Sequence, residues 1–316
     1  MSTPRCAATD GRPAPACARM IAVVLVLVVA LAVAAAAAGL AVTGRRAARR
    51  LEVEYARRYP EGANGVVGGA EGFNMEGTNG RRLLMLHGSG DSPQSLRYLA
   101  DRLNASGYTV QVPLLPGHGR SPRAFAAASA MDYYSAAQGA LSALTVSDGW
   151  IAVIGLSMGG ALAARLSSES TRVQALVLLA PYLTPPSDVR AARALSWLWS
   201  PLMPYVRGGG EASVHDPVAR NASRAYGTFS AGALSALVDT AAAGRRVVPR
   251  LRLPTLIINS EHDNRIPRAL AQTAVDAFTV PVEAHWLDGC GHIITVDYCK
   301  DAVAGLVLAF LARHAG

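Results

Sequence analysis

Lysine is almost missing from this 316-residue chain: Lys300 is the only one, so arginine carries the formal charge of +8. The arginines are scattered, and no basic stretch interleaves with aromatics, which argues against nucleic acid as a partner. Charge of either sign is scarce, at 16% of residues against about 25% in an average domain. With 51% hydrophobic residues, that balance excludes a disordered chain. The four cysteines include no C-x-x-C pair, which removes the common zinc arrangement. Cys6 and Cys17 lie near the N-terminus. Cys290 and Cys299 flank a late histidine; a disulfide in an exported domain and a pair of thiols both stand open for them. No internal repeat is visible. Nothing in the chain calls for a cofactor or a metal.

What the sequence does have is one long charge-free run, Met20 to Val42, rich in Val, Leu and Ala. At about 1.5 Å per helical residue it spans the ~30 Å hydrocarbon core of a bilayer. A single-pass anchor over residues 20–42 is the expectation. The alternative is a secreted protein with a cleaved signal peptide, for which Arg5, Arg12 and Arg19 would form the basic region. The run exceeds the usual signal core of about 7–15 residues, which favours the anchor. Arg45, Arg46, Arg49, Arg50, Arg57 and Arg58 follow it, against three arginines before it, so positive-inside counting leans towards a cytoplasmic catalytic domain. Residues 1–19 read as a tail and 43–61 as a charged juxtamembrane linker.

From residue 62 to 316 short apolar runs alternate with helical stretches. Strands are expected at Phe73–Glu76, Arg82–Leu86, Tyr108–Pro113, Trp150–Ile154, Ala175–Leu179, Thr255–Asn259 and Val282–Leu287. Helices fall between them, and one closes the chain at Asp301–His314. This β-α rhythm predicts an α/β fold with a mostly parallel sheet covered on both faces. Functional groups then belong on loops at the carboxyl ends of strands. Residues 184–250 interrupt the rhythm and read as an inserted cap with a Gly208-Gly209-Gly210 hinge. Its Trp197-Leu198-Trp199 and Met203 either line an acyl pocket or pack the cap onto the core.

Within that frame Gly155-Leu156-Ser157-Met158-Gly159 lies between an apolar strand and an alanine-rich helix. Strand, sharp turn and helix are the context of a nucleophile elbow, with the serine held on a strained turn. A serine hydroxyl needs a histidine to take its proton and a carboxylate to orient that histidine, in the chain order Ser, Asp/Glu, His. Of the later histidines only His292 directly follows the last strand, in the loop Asp288-Gly289-Cys290-Gly291-His292. His285 alternates within a strand, His314 ends a helix, and His262 precedes the acid. Asp263, after the strand ending at Asn259, is the leading acid, with Glu261 its competitor. Acyl transfer also needs donors for the oxyanion: the backbone N–H groups of Met158 and of Ser89, in His87-Gly88-Ser89-Gly90. His87 reads as a prop for that loop, and Gly117-His118-Gly119 as a second structural turn.

Together these segments resemble the α/β-hydrolase superfamily. The likeness is strongest to bacterial carboxylesterases and monoacylglycerol lipases, the group labelled serine aminopeptidase S33 or hydrolase-4. It is carried by Phe73-Asn74-Met75-Glu76-Gly77, Leu86 to Gly90, Pro116 to Gly119, Gly155 to Gly160, His262 to Pro267 and Gly291 to Asp297, and extends from about Ala70 to the C-terminus. The resemblance implies an α/β-hydrolase fold with an inserted cap, Ser157, Asp263 and His292 as catalytic residues, and Ser89 and Met158 as oxyanion donors. It further implies a small acyl-ester or lipid substrate. Ser89 stands where close relatives often carry phenylalanine, and the apolar N-terminal segment is extra to the core family. An aminopeptidase, amidase or acyltransferase would use the same triad, and a membrane-tethered binding module would keep the fold without the chemistry. Epoxide hydrolases and haloalkane dehalogenases place aspartate where Ser157 stands.

Overall fold

The computed structural model describes residues 15–62, 64–146, 148–208 and 213–315. Arg5, Arg12 and Cys6 of the tail, and Gly209 and Gly210 of the expected hinge, lie outside them. The first element, α1, runs unbroken from Pro15 to Arg58. The charge-free run and the segment read as a linker are therefore one helix, which fits the absence of proline and the many alanines and arginines over residues 32–58.

A seven-stranded sheet follows, made of β1 (Phe73–Met75), β2 (Arg82–Leu86), β3 (Thr109–Val112), β4 (Ile151–Leu156), β5 (Ala175–Leu179), β8 (Thr255–Ser260) and β9 (Glu283–Leu287), in the spatial order β1-β3-β2-β4-β5-β8-β9. Every pairing is parallel except that of β1 with β3. The side-chain period of two divides the strands between two cores. Leu84, Leu86, Ile151, Val153, Leu176 and Leu178 face α4 (Ala130–Leu144), α5 (Met158–Glu169) and α9 (Ala231–Val247). Leu83, Met85, Ala152, Ile154, Val177 and Leu179 face α2 (Arg97–Ala105) and α11 (Lys300–His314). The central strands β2, β4, β5 and β8 are buried on both faces, hence their mostly apolar sequences.

The order of the strands places the site. From β2 the chain moves to β3 on one side and then to β4 on the other, so the loops leaving β2 and β4 diverge at adjacent strand ends. Such a switch point opens a crevice beyond the carboxyl ends of the strands. The cap over it comprises α6 (Ser187–Ala194), α7 (Ser196–Trp199), the hairpin of β6 (Val206–Arg207) with β7 (Thr228–Phe229), and α8 (Pro217–Ala222). The expected cap extends to residue 250, but α9 within it packs on α5: a Cβ at Gly244 would lie 2.6 Å from the carbonyl oxygen of Ala161. The alanine and glycine face of α9 permits that approach, so α9 belongs to the layer against the sheet.

Candidate active site

Ser157 sits between β4 and α5 with φ 54° and ψ −117°. A non-glycine residue there costs roughly 1–3 kcal/mol, which the packed turn has to supply. The flanking glycines show how tight that packing is. A Cβ at Gly155 would lie 2.2 Å from the Gly159 carbonyl oxygen, and one at Gly159 would lie 2.1 Å from that of Leu86. Ser157 N–H donates to Leu179 O and Tyr182 N–H to Ser157 O, which ties the elbow to the end of β5.

Ser157 Oγ lies 2.8 Å from His292 Nε2, and His292 Nδ1 lies 2.7 Å from Asp263 Oδ2. Both partners are almost wholly buried, with 5% and 3% of their side chains exposed. Burial pushes the Asp263 carboxyl up, but His292 and the backbone N–H groups of Ile266 and Arg265 outweigh it and hold the carboxyl below its ordinary value. An ionised carboxylate only accepts, so Nδ1 of His292 carries the ring hydrogen and Nε2 is left to accept from Ser157. The competitors are elsewhere: Glu261 pairs with Arg268, His262 with Asp288, and His285 with Glu283.

The loop after β2 lies against the serine. A Cβ at Gly88 would be 3.2 Å from Ser157 Cβ, so residue 88 has to be small for the loop to approach this closely. His87 and His118 brace it. Leu115 N–H donates to His87 Nε2 at 3.1 Å, and Gly90 N–H to His118 Nε2 at 3.0 Å. Burial drives both imidazoles down, His87 to about 4 and His118 well below its ordinary value, so both stay neutral and keep accepting those N–H groups. Ser89 lines the cavity shared with Ser157 and His292, and Met158 opens α5 directly after the serine.

Two features were not foreseen, and a third, the disulfide, stood open. Asp91 is buried in the same cavity wall. One of its carboxylate oxygens, Oδ2, has no hydrogen-bond partner among the described residues, and burial raises its pKa to about 6. Asp297, fully buried, accepts backbone N–H groups from Gly291 and His215 on Oδ2 and from Asp216 and Tyr298 on Oδ1, all within 2.7–2.9 Å. It ties the His292 loop to the cap. Cys290 and Cys299 form a disulfide that closes this loop around His292. Only the disulfide left a signal in the sequence, as two cysteines nine residues apart; a lone aspartate in a loop carries none.

The cavity measures about 740 Å³. The cap contributes Val189, Trp199, Met203 and Phe229 and the core Leu234, Leu237 and Ile293, so most of the lining is apolar. Of the cap aromatics, Trp199 faces the cavity while Trp197 points outward.

Fold and site together define a hydrolase of the α/β-hydrolase class. Residues 78–298 match the family model Hydrolase_4, described as serine aminopeptidase, S33, and the chain belongs to that family. It is 28% identical over 263 residues to the thermostable monoacylglycerol lipase of Bacillus sp. (strain H-257), covering 83% of this chain and 100% of that one. It is 25% identical to a carboxylesterase of Bacillus subtilis (strain 168), covering 76% of this chain and 96% of the relative. A solved structure from work on LipS and LipT, two metagenome-derived lipolytic enzymes, superposes with a TM-score of 0.71 at 29% identity, covering 79% of this chain and 100% of its own.

Proposed function

We propose that this protein is a carboxylic ester hydrolase of lipase/esterase type that works through an acyl-enzyme on Ser157. The observation that carries the reading is the hydrogen-bonded run Asp263–His292–Ser157 opening into a large, mostly apolar cavity. Ser157 Oγ attacks the ester carbonyl while His292 Nε2 takes its proton, and Asp263 stabilises the imidazolium that forms. The backbone N–H groups of Met158 and Ser89 receive the oxyanion. The intermediate collapses, His292 returns the proton to the departing alcohol, and the acyl group stays on Ser157. Water activated by His292 then attacks the acyl carbon, and the second collapse releases the acid with the proton back on Ser157.

The apolar lining favours an acyl chain over a peptide, and the monoacylglycerol lipase and carboxylesterase relatives support a monoacylglycerol or simple ester substrate. Ser157→Ala should lower kcat on p-nitrophenyl butyrate and octanoate by at least about 10³-fold with the fold intact by circular dichroism. A variant that kept most of its activity would sink the acyl-enzyme. A fluorophosphonate probe that failed to label folded wild-type protein would revive the binding-module reading.

Residues 20–42 we read as a membrane anchor, with no charge across the run and the helix continuing beyond it. On sidedness two signals oppose each other. The arginine count leans towards the cytoplasm by a margin of three residues. The Cys290–Cys299 disulfide supports an oxidising compartment, because thiols are kept reduced in most cytosols. We give the disulfide the greater weight and assign the catalytic domain to the outer face.

A further inference from the structure

The juxtamembrane half of α1 docks along the cap. At Gly44 a Cβ would lie 1.8 Å from the carbonyl oxygen of Leu202 and 3.3 Å from Pro204 Cδ, so the helix backbone rests directly on the cap segment after α7. Further along, Tyr205 donates its hydroxyl hydrogen to Glu52 Oε1 at 2.8 Å, and Tyr59 donates to Ser223 O at 3.2 Å. Between them Tyr55 is buried in a stack on Tyr226, with centroids 5.1 Å apart, and Tyr226 stacks in turn on Phe125 at 4.8 Å. From Gly44 to Tyr59 the helix is fastened to the cap and its supporting loops over about 22 Å.

This docking sets the height of the cap. Gly44 follows Val42, the last residue of the apolar run, by two positions, about 3 Å along the helix axis. Leu202 is therefore level with the end of the candidate span. Around it the cap exposes Leu195 (51%), Trp197 (73%), Leu198 (57%) and Met203 (52%), a clustering of large apolar side chains that water disfavours. The exposed Arg45, Arg46, Arg49 and Arg50 stand on the adjoining turns of α1. Tryptophan and leucine beside arginine at the end of an apolar helix is the composition that the interfacial layer of a bilayer accepts. The same cap segment sends Trp199, Met203 and Val206 into the cavity wall.

We propose that the cap segment from Leu195 to Val206 is the membrane-contacting rim of the active site. It lies in the interfacial layer of the bilayer that holds the anchor, so an ester dissolved in that leaflet reaches Ser157 laterally, without crossing water. The inference rests on the anchor and ester-hydrolase readings above. What it adds is the surface involved and the route of the substrate.

The test uses the full chain in phosphatidylcholine/phosphatidylglycerol nanodiscs. Trp197→Glu combined with Leu198→Glu changes two exposed residues outside the cavity lining. Hydrolysis of water-soluble p-nitrophenyl butyrate should stay within twofold of wild type, while hydrolysis of 1-monooleoylglycerol dissolved in the disc should fall at least tenfold. Equal hydrolysis of the dissolved lipid by both proteins would overturn the rim. A nitroxide on Leu198→Cys, in a Cys6→Ser, Cys17→Ser background, should show oxygen-over-nickel accessibility typical of the headgroup–acyl boundary. A fully aqueous label, or spin–spin broadening from a second copy seated on the patch, would overturn it as well. The other readings fail separately: the anchor if alkaline carbonate releases the protein from membranes, the esterase if wild type leaves p-nitrophenyl butyrate intact. The label depth tests the rim in either case.

Discussion

Asp91 is the residue whose energetics are most exposed to measurement. Its carboxyl is buried in the wall of the cavity that Ser157 and His292 share, with Oδ2 unpartnered among the described residues, and burial raises its pKa to about 6 from an ordinary 3.8. Between roughly pH 4 and 6 the folded protein therefore holds a proton that the unfolded chain has released, and stability falls as pH rises through that window. At pH 7.5 the full penalty applies, on the order of 3 kcal/mol at about 1.4 kcal/mol per pKa unit. Asp91→Asn should accordingly raise the denaturation midpoint at pH 7.5, and the gain should vanish below about pH 4. Urea titrations at the two pH values check this; an equal effect at both would show that the charge is not the cause. Ser157 is the opposite case, a residue legible from its neighbours, because glycines at 155 and 159 are what a turn with 2.1–2.2 Å clearances demands.

At the scale of elements, the loop from Gly289 to Cys299 is the part that has to hold still. It carries His292, is closed by the Cys290–Cys299 disulfide, and is tied to the cap through Asp297. The Asp297 carboxyl is pushed up by burial but lowered further by its four N–H donors, so it is ionised at neutral pH. Asp297→Asn would point an NH₂ group at part of that donor set and leave buried N–H groups unpaired, at roughly 1–3 kcal/mol each. The expected result is a lower midpoint and a kcat reduced at least tenfold, with KM for a short ester changed less than threefold. An unchanged kcat would show that the tie does not position His292. Strands and helices were readable to within a few residues because buried parallel strands are apolar throughout and the helices between them are not. The extent of the cap was not readable: α9 follows the cap without any break in composition, and only its contact with Ala161 assigns it to the core. The Asp297 tie was equally hidden, since three of its four donors come from residues 215, 216 and 291.

For the molecule as a whole, the proposed anchor and outer-face orientation are open to direct measurement. If the disulfide reports the compartment, Cys290 and Cys299 in intact cells should resist maleimide until a reductant is added, and external protease should reach the catalytic domain without lysis. Protection of the domain until the cells are broken would restore the arginine-count orientation. Sequence by itself determined the α/β class, the apolar span and the candidate set Ser157, Asp263 and His292, because each depends on local pattern: periodicity, run length, and residue types at strand ends. Tertiary structure alone decided what depends on contacts between distant segments. It brought His292 to 2.8 Å from a serine 135 positions earlier, buried Asp91 without a full set of partners, and laid the helix at Gly44 against the cap at Leu202. A sequence records the side chains that form such contacts, but the free energy of each contact exists only once the chain has closed the distance between them.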